Sequence, residues 1–159
     1  QFKNIIIKPL YGNGGSGVFF IKENDKNFST ILEMFFEKTK EPIIIQEFLK
    51  EIDSGDKRII LINGKPEGAI NRIPKKDEIR ANMHVGGIAQ KTILTDRENY
   101  ICSAIGPELK RRGLLFVGID VIGDKLTEIN VTSPTGLKEI HKLNKINLAE
   151  KVIDLVNKT

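Results

Sequence analysis

The stretch FVGIDVIGDKLTEINVTSPTG, residues 116–136, constrains the fold more than any other. Two β-branched and aromatic runs flank Gly123-Asp124-Lys125, which predicts an antiparallel hairpin closed by a three-residue loop. Pairing is then centred on Asp124, so Asp120 lies opposite Glu128. Glu128 and Asn130 share a face by the two-residue period of a strand. Cross-strand neighbours stand about 4.5–5.5 Å apart, and two carboxylates that close raise each other's pKa. A divalent cation between them removes the conflict. Hard oxygen donors with one neutral amide suit Mg²⁺, which also takes oxygens from phosphates. Asp124 points the other way and serves the turn. The alternative is a solvated polar face on an edge hairpin, which sits poorly with Phe116, Val117, Ile119 and Val121 around it.

A second motif lies in KPLYGNGGSGVFFIK, where Gly12, Gly14 and Gly17 match G-x-G-x-x-G. The dinucleotide fingerprint needs a helix after its glycines. Here Ile5–Ile7 and Val18–Ile21 both read as strands, so the loop joins strand to strand. No Gly-Lys-Ser/Thr follows, which excludes a Walker loop. Two readings stay open: a hairpin flap whose backbone N–H groups approach phosphate oxygens, or a flexible surface turn. Lys8, at the strand end, suits phosphate as a point charge, or is an ordinary exposed lysine.

Between these motifs the sequence predicts a helix near 29–38, with Phe28, Ile31, Leu32, Phe35 and Phe36 as its core stripe. A strand begins at Ile43. Arg58–Ile62 and Gly68–Arg72 flank Asn63-Gly64 as a hairpin. Residues 73–92 show no steady period and read as a long functional loop. A helix is expected over 96–112, with Gly106-Pro107 as a break and Cys102 in plain packing. A final helix is expected over about 146–157, with Ile146, Ala149, Val152, Ile153 and Val156 inward.

The 159 residues, 40% apolar and 29% charged, are a globular balance, large enough for one domain or two small lobes. No apolar run approaches the ~20 residues of a membrane span. One cysteine makes no internal disulfide, which suits a cytoplasmic protein. A net charge of +4 without an interleaved aromatic cluster argues against nucleic acid. The chain opens at a strand edge without Met, as expected of one domain of a longer protein.

Taken together, IIIKPLYGNGGSGVF, SGDKRIILINGKP, RANMHVGG and FVGIDVIGDKLTEINVTSPTG resemble the bacterial glutathione synthetases, ligases of the ATP-grasp superfamily. The resemblance covers nearly the whole chain and is weakest after about residue 141. It implies an α+β ATP-grasp fold: two α+β lobes with antiparallel sheets gripping ATP between them. Residues 1–50 form a small lid lobe with the glycine flap, and 51–159 a larger lobe with the metal hairpin. The family's amino-terminal substrate domain, with a further ATP-binding lysine, lies outside these residues.

By position, the resemblance implies that Lys8 contacts ATP phosphates under Gly14, Gly15 and Ser16. Gln46, Glu47, Phe48 and Leu49 flank adenine, and Asp56 reaches the ribose. Arg58 and Arg72 sit near the reacting carboxylate. Asp120, Glu128 and Asn130 hold two Mg²⁺ ions, with Mn²⁺ as a substitute, and Asn130 also lies by the nucleotide. Residues 73–88 match a mobile loop in which Arg80 contacts substrate carboxylate, beside Thr132, Ser133, Thr135 and Gly136. His84 in that loop is a bystander, and Ile88 stands where the family's better-known members carry arginine. The implied reaction is ATP-dependent ligation of γ-glutamylcysteine to glycine, in the cytoplasm, by a homo-oligomeric full-length enzyme without nucleic-acid or membrane partners. Another ATP-grasp carboxylate–amine ligase, or a nucleotide-binding fragment without turnover, are the rival readings.

Overall fold

A computed structural model describes residues 2–38 and 40–158. Two antiparallel sheets carry the chain. The first has order β2-β1-β3, built from β1 (Ile5–Pro9), β2 (Phe19–Ile21) and β3 (Ile43–Glu47), with helix α1 (Phe28–Lys38) connecting β2 to β3. The second has order β6-β5-β4-β7-β8, from β4 (Asp56–Ile62), β5 (Lys65–Ile73), β6 (Ile88–Lys91), β7 (Phe116–Ile122) and β8 (Lys125–Asn130). Helix α2 (Asp96–Arg111) precedes β7, and α3 (Leu137–Asn144) and α4 (Leu148–Val156) follow β8. The class is α+β, as the sequence implies.

Alternation along the strands divides the larger sheet into two faces. Ile59, Leu61, Val117, Ile119 and Val121 pack with Ile101, Cys102 and Leu109 of α2. On the opposite face, Ile60, Ile62 and Ile70 pack with Ile140 of α3 and Leu148 of α4. The remainder of that face is charged. The smaller sheet buries Ile7 and Ile21 with Phe35 of α1.

Local chemistry explains most boundaries. Asn63 and Gly64 both have positive φ, as a two-residue hairpin turn with matching twist requires. Thr95 and Glu98 form a reciprocal capping box at the start of α2. Glu98 is buried there and takes an ion pair from Lys57 at 2.7 Å.

Several expectations are corrected. The β7–β8 loop has two residues, Gly123-Asp124, because Ile122 pairs with Lys125. A bulge between Asp120 and Val121 then restores the expected pairing of Asp120 with Glu128. Helix α2 runs through Pro107 without a break. Residues 88–91, read as loop, form edge strand β6 against β5. In α1 the buried stripe is narrower than its periodicity: Phe35 is buried, whereas Phe36 is 61% exposed and Phe28 lies at the surface. The final helix expected over about 146–157 is α4, and α3 before it is a helix the sequence reading did not expect. Lys145, with φ of 62°, ends α3, and the Asn147 side chain accepts from the Glu150 N–H to start α4. Of the residues expected inward, Ile146 and Val152 pack with Leu148 and Leu155, while Ala149, Ile153 and Val156 face out.

Candidate active site

The charged half of the larger sheet is set by register. Asp120 of β7 lies between Arg58 of β4 and Glu128 of β8, and Asp56 of β4 lies beside Arg72 of β5. Four of these side chains are buried: Asp56, Arg58, Arg72 and Asp120. Arg58 donates to Asp120 through Nε at 2.5 Å and through Nη2 at 2.9 Å, a two-pronged pair. Its Nη1 donates to the Thr135 carbonyl at 3.1 Å, which ties the loop 131–136 to the sheet. Arg72 Nη2 lies 2.5 Å from Asp56 Oδ2 and 3.0 Å from Asp120 Oδ2.

Two arginines thus serve two carboxylates of unequal fate. Burial alone would raise the Asp120 pKa, but Arg72 and Arg58 overcome it and hold Asp120 ionised below its usual range. Burial pushes Asp56 up to about 7, and the nearby Asp120 charge adds to the rise against the pull of Arg72. Its Oδ1 is buried without a hydrogen-bond partner. Arg72 is raised despite burial, because Asp120 and Asp56 favour its charged form.

Glu128, paired across from Asp120, is half exposed. Lys8 Nζ, from the smaller sheet, lies 3.5 Å from Glu128 Oε2. Lys125 meets Glu47 at 3.3 Å in a second pair between the sheets. Lys8 of the smaller sheet and the acidic hairpin of the larger one therefore face each other. The glycine loop 10–18 is the β1–β2 hairpin connection, and Gly14 and Gly15 have φ of 66° and 79°. Ser16 is exposed in it. Just past the end of β3, the Phe48 N–H donates to the Asn4 carbonyl, and the Phe48 ring lies tilted against Phe20 with centroids 4.4 Å apart. Gln46 and Glu47 end the strand and Leu49 begins the crossing to the larger sheet. Thr132, Ser133 and Thr135 are exposed and Gly136 is buried at the start of α3.

The segment 74–87 folds back over the glycine loop. Arg80 Nη1 donates to the Gly15 carbonyl at 3.1 Å, and its Nε and Nη2 bind Glu78. A Cβ on Gly14 would touch the His84 ring at 3.5 Å, so His84 covers the flap rather than the carboxylates. His141 is exposed on α3. Cys102 is buried among apolar residues, its thiol pushed up to about 11 by burial, which makes it packing and not a nucleophile.

Among the described residues no group of three or more His, Cys, Asp or Glu side chains is arranged for a metal. The set on this face is two carboxylates and an amide. It fits a hard divalent cation on its own chemistry. The Asp120 oxygens keep lone pairs beyond those given to Arg58 and Arg72. Asn130 has its Nδ2 buried without a partner, and turning that amide brings its oxygen to the same place.

Sequence reasoning missed two parts of this arrangement. Glu78 precedes Arg80 by two residues inside a loop, where no periodicity marks it. The Asp56–Arg72–Asp120 ion-pair row needs the register of three strands, which no local signal prints.

A family model for the prokaryotic glutathione synthetase ATP-grasp domain matches residues 1–145. The chain belongs to this family. It is 55% identical over 156 residues to the glutathione synthetase of Mesorhizobium japonicum, covering 98% of this chain and 50% of that protein. It is 55% identical over 158 residues to the glutathione synthetase of Agrobacterium fabrum, covering 99% and 50%. The chain thus spans about half the length of the curated relatives it matches. Among solved structures, D-alanine–D-alanine ligase from Bacillus anthracis complexed with ATP superposes with a TM-score of 0.66 at 17% identity, covering 95% of this chain and 51% of that one. An ATP-grasp ligase complexed with a minimal precursor gives 0.62 at 16% identity, covering 98% and 48%. The two-sheet architecture is therefore that of the ATP-grasp fold. No helix among the described residues is long and apolar enough to cross a membrane.

Proposed function

We propose that this chain is the ATP-binding portion of a glutathione synthetase, which joins γ-glutamylcysteine to glycine at the expense of ATP. The observation that carries the reading is the cleft in which Lys8 of one sheet faces Glu128 of the other, beside Asp120. The high identity to two glutathione synthetases supports the same substrates. In this reading the enzyme's partners are small molecules.

The γ-glutamylcysteine carboxylate attacks the γ-phosphorus of ATP, and ADP leaves. An acyl phosphate results. The glycine amine then attacks the acyl carbon, inorganic phosphate leaves and the amine gives up a proton. Phosphoryl transfer asks a protein mainly for positioning and charge neutralisation. Lys8 and the N–H groups of Gly14, Gly15 and Ser16 would orient the phosphates. Gln46, Glu47, Phe48 and Leu49 would flank the base, and Asp56 the ribose side. Asp120, Glu128 and Asn130 would hold Mg²⁺, or Mn²⁺ in its place, which when bound neutralises phosphate charge. Arg58 and Arg72 fix the Asp120 carboxylate, and would add positive potential where the acyl centre gains charge. Arg80, Thr132, Ser133, Thr135 and Gly136 would receive the peptide carboxylate. The segment 74–87 over the flap would exclude water and protect the acyl phosphate from hydrolysis.

Phosphate release by the full-length protein, screened over carboxylate and amine pairs, tests the reading. Release that needs both γ-glutamylcysteine and glycine supports it. Release driven by a different amine reassigns the substrate within the ligase class, and absence of turnover with retained Mg·ADP binding makes the chain a nucleotide-binding module.

A further inference from the structure

Glu78 is the feature of the cleft that the reaction above leaves unused. A turn closed by the Glu78 N–H on the Lys75 carbonyl presents it, with Asp77 at positive φ. Its Oε1 accepts from the N–H groups of Ile79 at 2.9 Å and Arg80 at 3.1 Å, which anchors the carboxylate to its own backbone. The same carboxylate then grips one edge of the Arg80 guanidinium, Nε at 3.0 Å and Nη2 at 2.7 Å. Those hydrogen bonds pull the Glu78 pKa down to about 2, so the grip persists at any working pH.

An isolated loop ion pair contributes little to stability. This one does more than neutralise a charge. With Nε and Nη2 taken by Glu78, Nη1 reaches the Gly15 carbonyl of the flap. Three of the five N–H donors of the guanidinium are then used, and one remains on each Nη. A flexible arginine side chain has thereby been reduced to one orientation, docked on the flap. Gly15 is part of the fit: a Cβ there would stand 2.7 Å from Asn82 Oδ1 and 3.3 Å from Arg80 Cδ.

We infer that Glu78 is a positioning residue: it fixes the edge of Arg80 that faces the loop, so that the remaining donors meet the substrate carboxylate when loop and flap are together. The inference rests on the ligase reading and on the substrate-facing role of Arg80. Its energetic logic is preorganisation, since an arginine already held pays less rotamer entropy on binding.

The test is a kinetic cycle in the full-length enzyme with Glu78→Gln, Arg80→Ala and the double variant. Glu78→Gln keeps size and loses charge. It is expected to raise KM for γ-glutamylcysteine about tenfold, as loss of one charge-assisted hydrogen bond implies. KM for ATP should stay within about twofold, and Glu78→Gln should add nothing in the Arg80→Ala background. A normal KM in Glu78→Gln alongside a defective Arg80→Ala overturns the inference alone. Additive losses in the double variant, or a fall in Tm with KM unchanged, overturn it as well. A normal KM in Arg80→Ala overturns the substrate role of Arg80 and the inference with it, so the single variants tell the two failures apart.

Discussion

Of the two sheets, the three-stranded one has Ile7, Ile21 and Phe35 as its buried core and, among the described residues, no buried charge. The five-stranded sheet has an apolar cluster on each face and also buries Asp56, Arg58, Arg72 and Asp120. The difference separates two tasks. Charges held out of water need a stiff surround, because every unpaired one is costly. A thin sheet with a small core opens locally at low cost, which suits a cover over a nucleotide. The larger sheet can bury ions because its other face, packed on α2, supplies the apolar burial that offsets their desolvation.

Removing Asp120 strikes the contrast hardest. Asp120→Ala leaves Arg58 and Arg72 buried without their shared partner. A destabilisation of about 3–5 kcal/mol is expected in denaturant unfolding of the full-length protein. Turnover should fall roughly a hundredfold or more. Glu128→Gln should lose comparable turnover at almost no cost in stability, since Glu128 is half exposed and its ion pair is with Lys8. Equal destabilisation by both would abolish the distinction between buried and cleft-lining carboxylates.

Core truncation compares the sheets directly. Ile119→Ala, fully buried against α2, should cost about 2–5 kcal/mol. Leu32→Ala beside the smaller sheet is expected at or below the low end of that range, because Leu32 is only partly buried. A larger loss at Leu32 would show a smaller sheet stiffer than its core suggests.

The pH dependence of stability isolates the buried ion row. The folded-state pKa of Asp56, about 7, lies above its ordinary 3.8. Between those values the native state keeps a proton that the unfolded chain has lost. This group's contribution is therefore full below about pH 4 and declines as pH rises towards 7. Asp56→Asn should flatten that slope, measured as midpoint shifts across pH 4–8. The smallest effect belongs to the exposed bridge between the sheets: Lys125→Ala, which loses the contact with Glu47, should change stability by less than about 0.5 kcal/mol.

Local signals carried much of the fold. Turn chemistry at Asn63-Gly64 and the glycines 12–17 placed two hairpins correctly. The opposition of Asp120 and Glu128 was legible from β-period alone, although the true turn is one residue shorter and a bulge makes up the difference. Edge strand β6 was not legible, because Ile88–Lys91 has little pattern of its own and is a strand by pairing with β5. Helix α4 was legible from its period, whereas the short helix α3, which opens at Gly136 and closes at Lys145, was not.

The order of apolar and turn residues by itself determined most of the strands, the strand-to-strand glycine loop and the pairing of the acidic hairpin, because these follow from short-range sterics and a period of two. Only the tertiary structure decided that Asp120 is held by Arg58 and Arg72, that burial pushes the Asp56 pKa up to about 7, and that Arg80 reaches Gly15. Those contacts join residues far apart in sequence, and their electrostatics depend on burial, which no local pattern of residues contains.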